Sequence, residues 1–185
     1  MKRVIIFIDG LNIRMRLRTN GWAEYFDVGY LAKILVGPRQ LIHAGFYHPQ
    51  PNREQLGPTM YATDRSYLES VRKDSTTIVP EGAYMAKRDK RVDGKKAAVW
   101  VEQQTDVLLA SDLVYMAATN MMDVAVLATA DGDIIPAVRR CTELGVPVEL
   151  LRFRGLHQPW LLGLEKVVAG FHRARPAYFR PYPSK

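Results

Sequence analysis

Two apolar runs in this chain end on carboxylates. Val4 to Ile8 leads straight into Asp9, followed by Gly10 and Asn12, and Val124 to Ala130 leads into Asp131 and Asp133. Each setting has an ordinary explanation. Asp-Gly is common turn chemistry, and an Asp-x-Asp at a helix start serves as a cap and suits the positive helix end. A third group lies in the segment from about Ala97 to Ala118, whose pattern predicts one long helix. Glu102, Asp106, Leu109, Leu113 and Met116 then share a stripe. Its apolar half faces a core, so its acidic half should open onto something positive. Asp112 lies off the stripe and is expected to be structural or exposed.

If both apolar runs are parallel strands, their carboxyl ends share one sheet edge, where α/β proteins bind ligands. Asp9, Asp131 and Asp133 then converge, with Asp106 approaching from the preceding helix. Four carboxylates that close repel one another and destabilise the fold unless a cation neutralises them. An all-oxygen donor set suits Mg²⁺ or Mn²⁺ rather than zinc. Such ions activate water and stabilise the leaving oxygen in phosphodiester hydrolysis.

The elements that must position these acids alternate. Strands are expected at Val4–Ile8, Gln40–His48, Thr76–Met85 and Val124–Ala130, and in "VPVELLRF". Helices are expected at Tyr30–Val36, from about Pro58 to Lys73, from about Ala97 to Ala118, and in "DIIPAVRRCTEL". This alternation predicts an α/β domain with a mostly parallel sheet of roughly five strands and helices on each face. The domain is expected to occupy residues 1–170, leaving 171–185 as a Pro/Arg-rich tail that packs loosely.

A chain of 185 residues can bury a sizeable core as one domain. Its single cysteine, Cys141, excludes an intramolecular disulfide and a Cys-rich zinc module. The four histidines lack metal-ligand spacing. No stretch approaches the roughly 18 apolar residues of a membrane helix, and the N-terminus runs into the first strand without a signal-peptide pattern, so a cytoplasmic protein is expected. The net charge of +7 favours a polyanionic partner, nucleic acid ahead of an anionic membrane surface.

"AKRDKRVDGKKA" gathers Lys87, Arg88, Lys90, Arg91, Lys95 and Lys96 just before the segment bearing Glu102. Read as a loop, it offers a basic rim to a phosphodiester that the carboxylates alone would repel. Arg14, Arg16 and Arg18 follow Asn12 closely and could form the opposite rim. Tyr25, Phe26, Tyr47 and Tyr84 could stack bases, although aromatics at such places are more often core.

"IDGLN", then "TDVLLASDL", then "DVAVLATADGDIIPAV" ahead of "GVPVELL" resembles the NYN domain of the PIN-like nuclease superfamily, in its bacterial LabA-like branch. The resemblance covers roughly Val4 to Leu151. It implies a PIN-like Rossmannoid three-layer sandwich, metal-dependent ribonuclease chemistry, and an acidic pocket of Asp9, Asn12, Asp106, Asp131 and Asp133. Asp9, Asp106, Asp131 and Asp133 would hold Mg²⁺ or Mn²⁺, Asn12 would orient Asp9 or the attacking water, and Glu102 and Thr129 would support them. RNA is the implied partner, single-stranded rather than duplex, and a homo-oligomer is compatible with this reading. The chain departs from the family pattern at "EQQTD", where a lysine and a glycine commonly follow the glutamate. It departs again at Thr129-Ala130, where Ser-Gly is usual. An RNA-binding or regulatory module with weak or no nuclease activity is the alternative. A haloacid-dehalogenase-like phosphatase is disfavoured, because Leu11 stands where a second aspartate is needed.

Overall fold

Strand β1 (Arg3–Asp9) feeds two cores at once, because alternate residues of a strand face opposite sides. Val4, Ile6 and Ile8 lie in one apolar cluster and Ile5 and Phe7 in the other. The computed structural model describes residues 1–92, 95–153 and 159–182.

The first cluster takes in α1 (Gly10–Thr19), α2 (Val28–Val36) and α3 (Arg53–Lys73). The second takes in α4 (Thr105–Ala118), α5 (Ile135–Glu143) and α6 (Pro159–Glu165). Between them lie β2 (Gln40–Tyr47), β3 (Thr77–Ile78), β6 (Val124–Ala128), β7 (Val148–Arg152) and β8 (Gly170–Arg173). Their order is β3-β2-β1-β6-β7-β8, and every pairing is parallel. The strand order reverses between β1 and β6, the switch point at which open α/β sheets place their ligands. The expected three-layer α/β architecture is therefore present, with six strands in the main sheet where roughly five were expected.

The differences have local causes. The strand expected over Thr76–Met85 keeps only Thr77–Ile78, because Pro80 cannot donate to a ladder. Tyr84 instead opens an antiparallel hairpin, β4 (Tyr84–Val92) with β5 (Lys95–Gln103). The basic stretch expected as a loop is this hairpin, and the helix expected from Ala97 begins only at Thr105. Val99, Trp100 and Val101 suit an extended strand, and Gln104, with φ of 73°, breaks the chain direction before α4. Helix α3 is kinked at Gly57, also at positive φ, so its longer half starts at Pro58 as the spacing predicts.

Of the tail expected over 171–185 to pack loosely, residues 171–182 dock on the domain. Residues 170–173 form β8, Phe179 is buried against Trp22, Phe26 and Phe153, and Arg180 pairs with Asp27 and stacks over Tyr30. No helix among the described residues is long and apolar enough to cross a membrane.

Candidate acidic site

Asp9 serves two structures at once. It ends β1 and caps α1, its Oδ1 accepting from the Asn12 backbone N–H at 3.0 Å. Its Oδ2 accepts from the Thr129 hydroxyl at 2.8 Å, just past the end of β6. That hydroxyl also accepts from the Asp131 N–H at 3.1 Å, so its only proton points at Asp9. The Asn12 side-chain oxygen accepts from Ala130 N–H at 3.1 Å, a second tie between the ends of β1 and β6. Asp131 in turn caps the 3₁₀ turn Gly132–Ile134, accepting from Asp133 N–H at 2.9 Å. The cap and turn roles of these aspartates are thus real.

The remaining two acids come from the hairpin and α4. Glu102 lies on β5, not on a helix, yet the left-handed Gln104 brings it and Asp106 of α4 to the same place. The electrostatics record the convergence. Burial pushes the Asp9 carboxyl up to about 7, against its two hydrogen bonds and with help from Glu102 and Asp106. Burial also raises Glu102, with Asp106 and Asp131 adding to it. The Thr105 hydroxyl is near enough to oppose that rise but makes no hydrogen bond of regular geometry, and both it and Glu102 Oε1 are buried without a partner. Asp106, exposed on the first turn of α4, is raised by partial loss of solvent and by Asp131 and Asp133, although the positive end of α4 favours its charge.

Repulsion thus links Asp9 to Glu102 and Asp106, Glu102 to Asp131, and Asp106 to Asp131 and Asp133, a chain of five carboxylates from four elements at the switch point. Among the described residues, no arginine, lysine or histidine forms an ion pair with any of them. Nor do three acidic, histidine or cysteine groups stand close enough to hold an ion as they are placed. Uncompensated carboxylates repel, and the buried Oε1 of Glu102 is an acceptor without a donor. The donor chemistry fits a hard divalent cation.

The basic residues divide. Arg14, expected on a nucleic-acid rim, is buried inside the domain at 5% exposure. Its Nη2 donates to Asp64 at 2.8 Å and Glu24 at 2.9 Å, and its Nη1 to His48 Nε2 at 2.9 Å. Arg14 also stacks 4.5 Å from the Tyr25 ring. An arginine so enclosed cannot meet a phosphate. Lys87, Arg88 and Lys90 are exposed on β4, and Lys87 pairs with Glu54 at 2.7 Å. Arg91, Lys95 and Lys96 belong to the hairpin strands, but their side chains lie outside the described residues. Asp112 is structural, as expected, accepting from the Tyr47 hydroxyl at 2.9 Å. The sequence reading missed Thr105, whose only signal was its place between Glu102 and Asp106.

A parallel α/β sandwich with carboxylates gathered at the sheet switch point is a PIN-like arrangement. Residues 3–162 match the NYN domain, and the chain belongs to that family, within the PIN-like nuclease superfamily. A crystal structure of a protein of unknown function from Vibrio parahaemolyticus shares the fold. It is 17% identical, with a TM-score of 0.55 over 92% of this chain and 91% of that one. A crystal structure from Parabacteroides merdae aligns at 11% identity and a TM-score of 0.37, over 92% of this chain and 31% of that one. Comparison with curated proteins gives no match.

Proposed function

We propose that this NYN domain is an endoribonuclease for single-stranded RNA that works with Mg²⁺ or Mn²⁺. The carrying observation is the convergence of five carboxylates without a cationic side chain, one of them with a buried, unpartnered oxygen. Asp9, Asp106, Asp131 and Asp133 would hold the ion, with Glu102 completing the negative wall. When bound, the ion supplies an activated water and stabilises the leaving oxygen. Thr129 orients Asp9, and Asn12 holds the β6 loop against α1. Lys87, Arg88 and Lys90, with Arg91, Lys95 and Lys96 further along the hairpin, would carry the RNA backbone to the site. The motif order supports a place in the LabA-like branch.

The spacing of the acids favours a second reading, an RNA-binding module without cleavage, because no three of them stand ready to ligate. The two readings part in one assay. Single-stranded RNA, duplex RNA and DNA oligonucleotides are incubated with Mn²⁺, with Mg²⁺ or with chelator. Metal-dependent cleavage of single-stranded RNA supports the nuclease, and tight RNA binding without cleavage in either metal supports the module.

A further inference from the structure

Beside the acidic cluster, α1 and the first half of α3 enclose a groove of about 180 Å³. Its walls carry Met15, Leu56, Met60 and Met85, and the buried Arg14 and His48 form its floor. Three features join it to the acids. Leu11, on its rim, lies between Gly10 and Asn12. His48 follows Tyr47, which is in register with Asp9. Met85 pairs with Glu102 across the hairpin, and such partners share a face of the ribbon. Gly10 makes this proximity possible: a Cβ there would sit 2.7 Å from the Phe46 ring and 2.9 Å from His48.

The groove is neutral. Arg14 and Arg18 are matched by Asp64 and Glu24. His48 accepts from Arg14 through Nε2, so its proton is on Nδ1, donated to the Pro49 carbonyl at 2.8 Å. A phosphate finds no unmatched charge here. Its walls instead suit an uncharged flat ring. Met15 and Met60 are 58% and 47% exposed, and thioethers make favourable contacts with aromatic rings. The volume falls below the 300–1,000 Å³ typical of drug-sized ligands and suits a single ring system. Gln55 lines the same groove with an amide donor and acceptor of the kind base edges need, while the neighbouring Gln50 accepts from Arg72 at 3.3 Å through its amide oxygen and keeps its amide N–H donors. Arg14 Nε, buried in the floor, has no partner.

We propose that this groove seats one unstacked base of the RNA strand whose backbone crosses the acidic cluster. The proposal rests on the RNA reading above and adds the residues that grip the strand. Proteins that read single-stranded RNA commonly take splayed bases into such sites.

The test is an abasic scan. Octaribonucleotides of mixed sequence, each lacking one base, are titrated against the protein by fluorescence anisotropy in chelator. One position is expected at which loss of the base weakens binding about tenfold. In Met15→Ala/Met60→Ala, with an unchanged melting temperature, that penalty should fall to about twofold. Gln55→Ala should reduce the preference among the four bases at that position. A flat scan, or an undiminished penalty in Met15→Ala/Met60→Ala, overturns the groove. Cleavage of the same RNAs with Mn²⁺ alongside a flat scan overturns the groove alone. A sensitive position whose penalty falls in Met15→Ala/Met60→Ala, without cleavage in Mn²⁺ or Mg²⁺, supports the groove and removes the nuclease.

Discussion

Two sets of charge meet at the first turns of α1 and differ in one respect. Arg14, Asp64, Glu24, Arg18 and His48 form a closed network in which cations and carboxylates match and Tyr25 donates a further hydrogen bond to Asp64 at 2.6 Å. Against the cost of burial, Arg14 and Tyr25 hold the Asp64 carboxyl below its ordinary range. Asp9, Glu102 and Asp106 have no such partner, and loss of solvent together with repulsion from neighbouring carboxylates raises all three. A buried charge with its complement in the chain is a structural element. Carboxylates gathered without a complement, with Asp9 buried, Glu102 and Asp131 half-buried and Asp106 and Asp133 exposed, mark a place where something from outside supplies it.

The comparison breaks most visibly at Asp64. Asp64→Ala would leave the buried Arg14 with Glu24 and His48 but without its most buried carboxylate, at a cost of about 3–5 kcal/mol, the range for breaking a buried pair. For a chain of this size that lowers the melting temperature by about 6–20 °C. Asp9→Asn in chelator should lower it little or raise it, because it removes repulsion. Scanning calorimetry of the two variants side by side checks this, and equal losses would erase the distinction.

Metal should act on one set only. Mg²⁺ or Mn²⁺ at about a hundred times its dissociation constant stabilises by about 2.7 kcal/mol, a rise of about 5–11 °C. Asp131→Asn should diminish that rise while leaving the metal-free protein folded. An unchanged response would remove Asp131 from the site.

The pH dependence sharpens the contrast, because the two sets titrate in opposite senses. Asp9, raised to about 7, holds a proton more tightly when folded, so its contribution is lost as pH rises from the ordinary carboxylate range through about 7. His48, lowered to about 4 chiefly by burial and by Arg14, contributes stability above the ordinary histidine range that is lost as pH falls through about 4. In chelator, the melting temperature of Asp9→Asn minus that of wild type should therefore grow from pH 5 to pH 7. A difference that stays flat would mean that Asp9 titrates normally.

The smallest effect belongs to the hairpin. Changing Lys87, Arg88 and Lys90 to Ala should weaken RNA binding and reduce its salt slope by about 0.7 for each lost phosphate contact. The fold should stay intact, since the one ion pair among them is exposed. An equal slope in the variant would make the hairpin face merely solvated.

The acidic edge was legible because its signal is local. A buried apolar run that stops at a carboxylate identifies a strand end, and two such ends in a parallel sheet meet at its switch point. The hairpin was misread because Ala97 to Val101 is apolar enough to continue a helical pattern. "VDGK", between Val92 and Lys95, carries the Asp-Gly hairpin signal that should have outweighed it. Arg14 was misread for a different reason. Nothing adjacent to it announces burial, and its main partner, Asp64, lies 50 residues away on another helix. The docking of residues 170–182 likewise depends on distant partners, Asp27 and Phe26.

The most direct measurement is RNA cleavage by wild type and Asp9→Asn under Mn²⁺ and Mg²⁺, read beside RNA binding. Asparagine keeps the shape and the capping of α1 but is a poorer ligand for a hard cation. The expected result is metal-dependent cleavage by wild type that falls about 10²-fold or more in the variant, with RNA binding retained. Cleavage at the wild-type rate by Asp9→Asn would contradict the claim that these acids form the reacting centre.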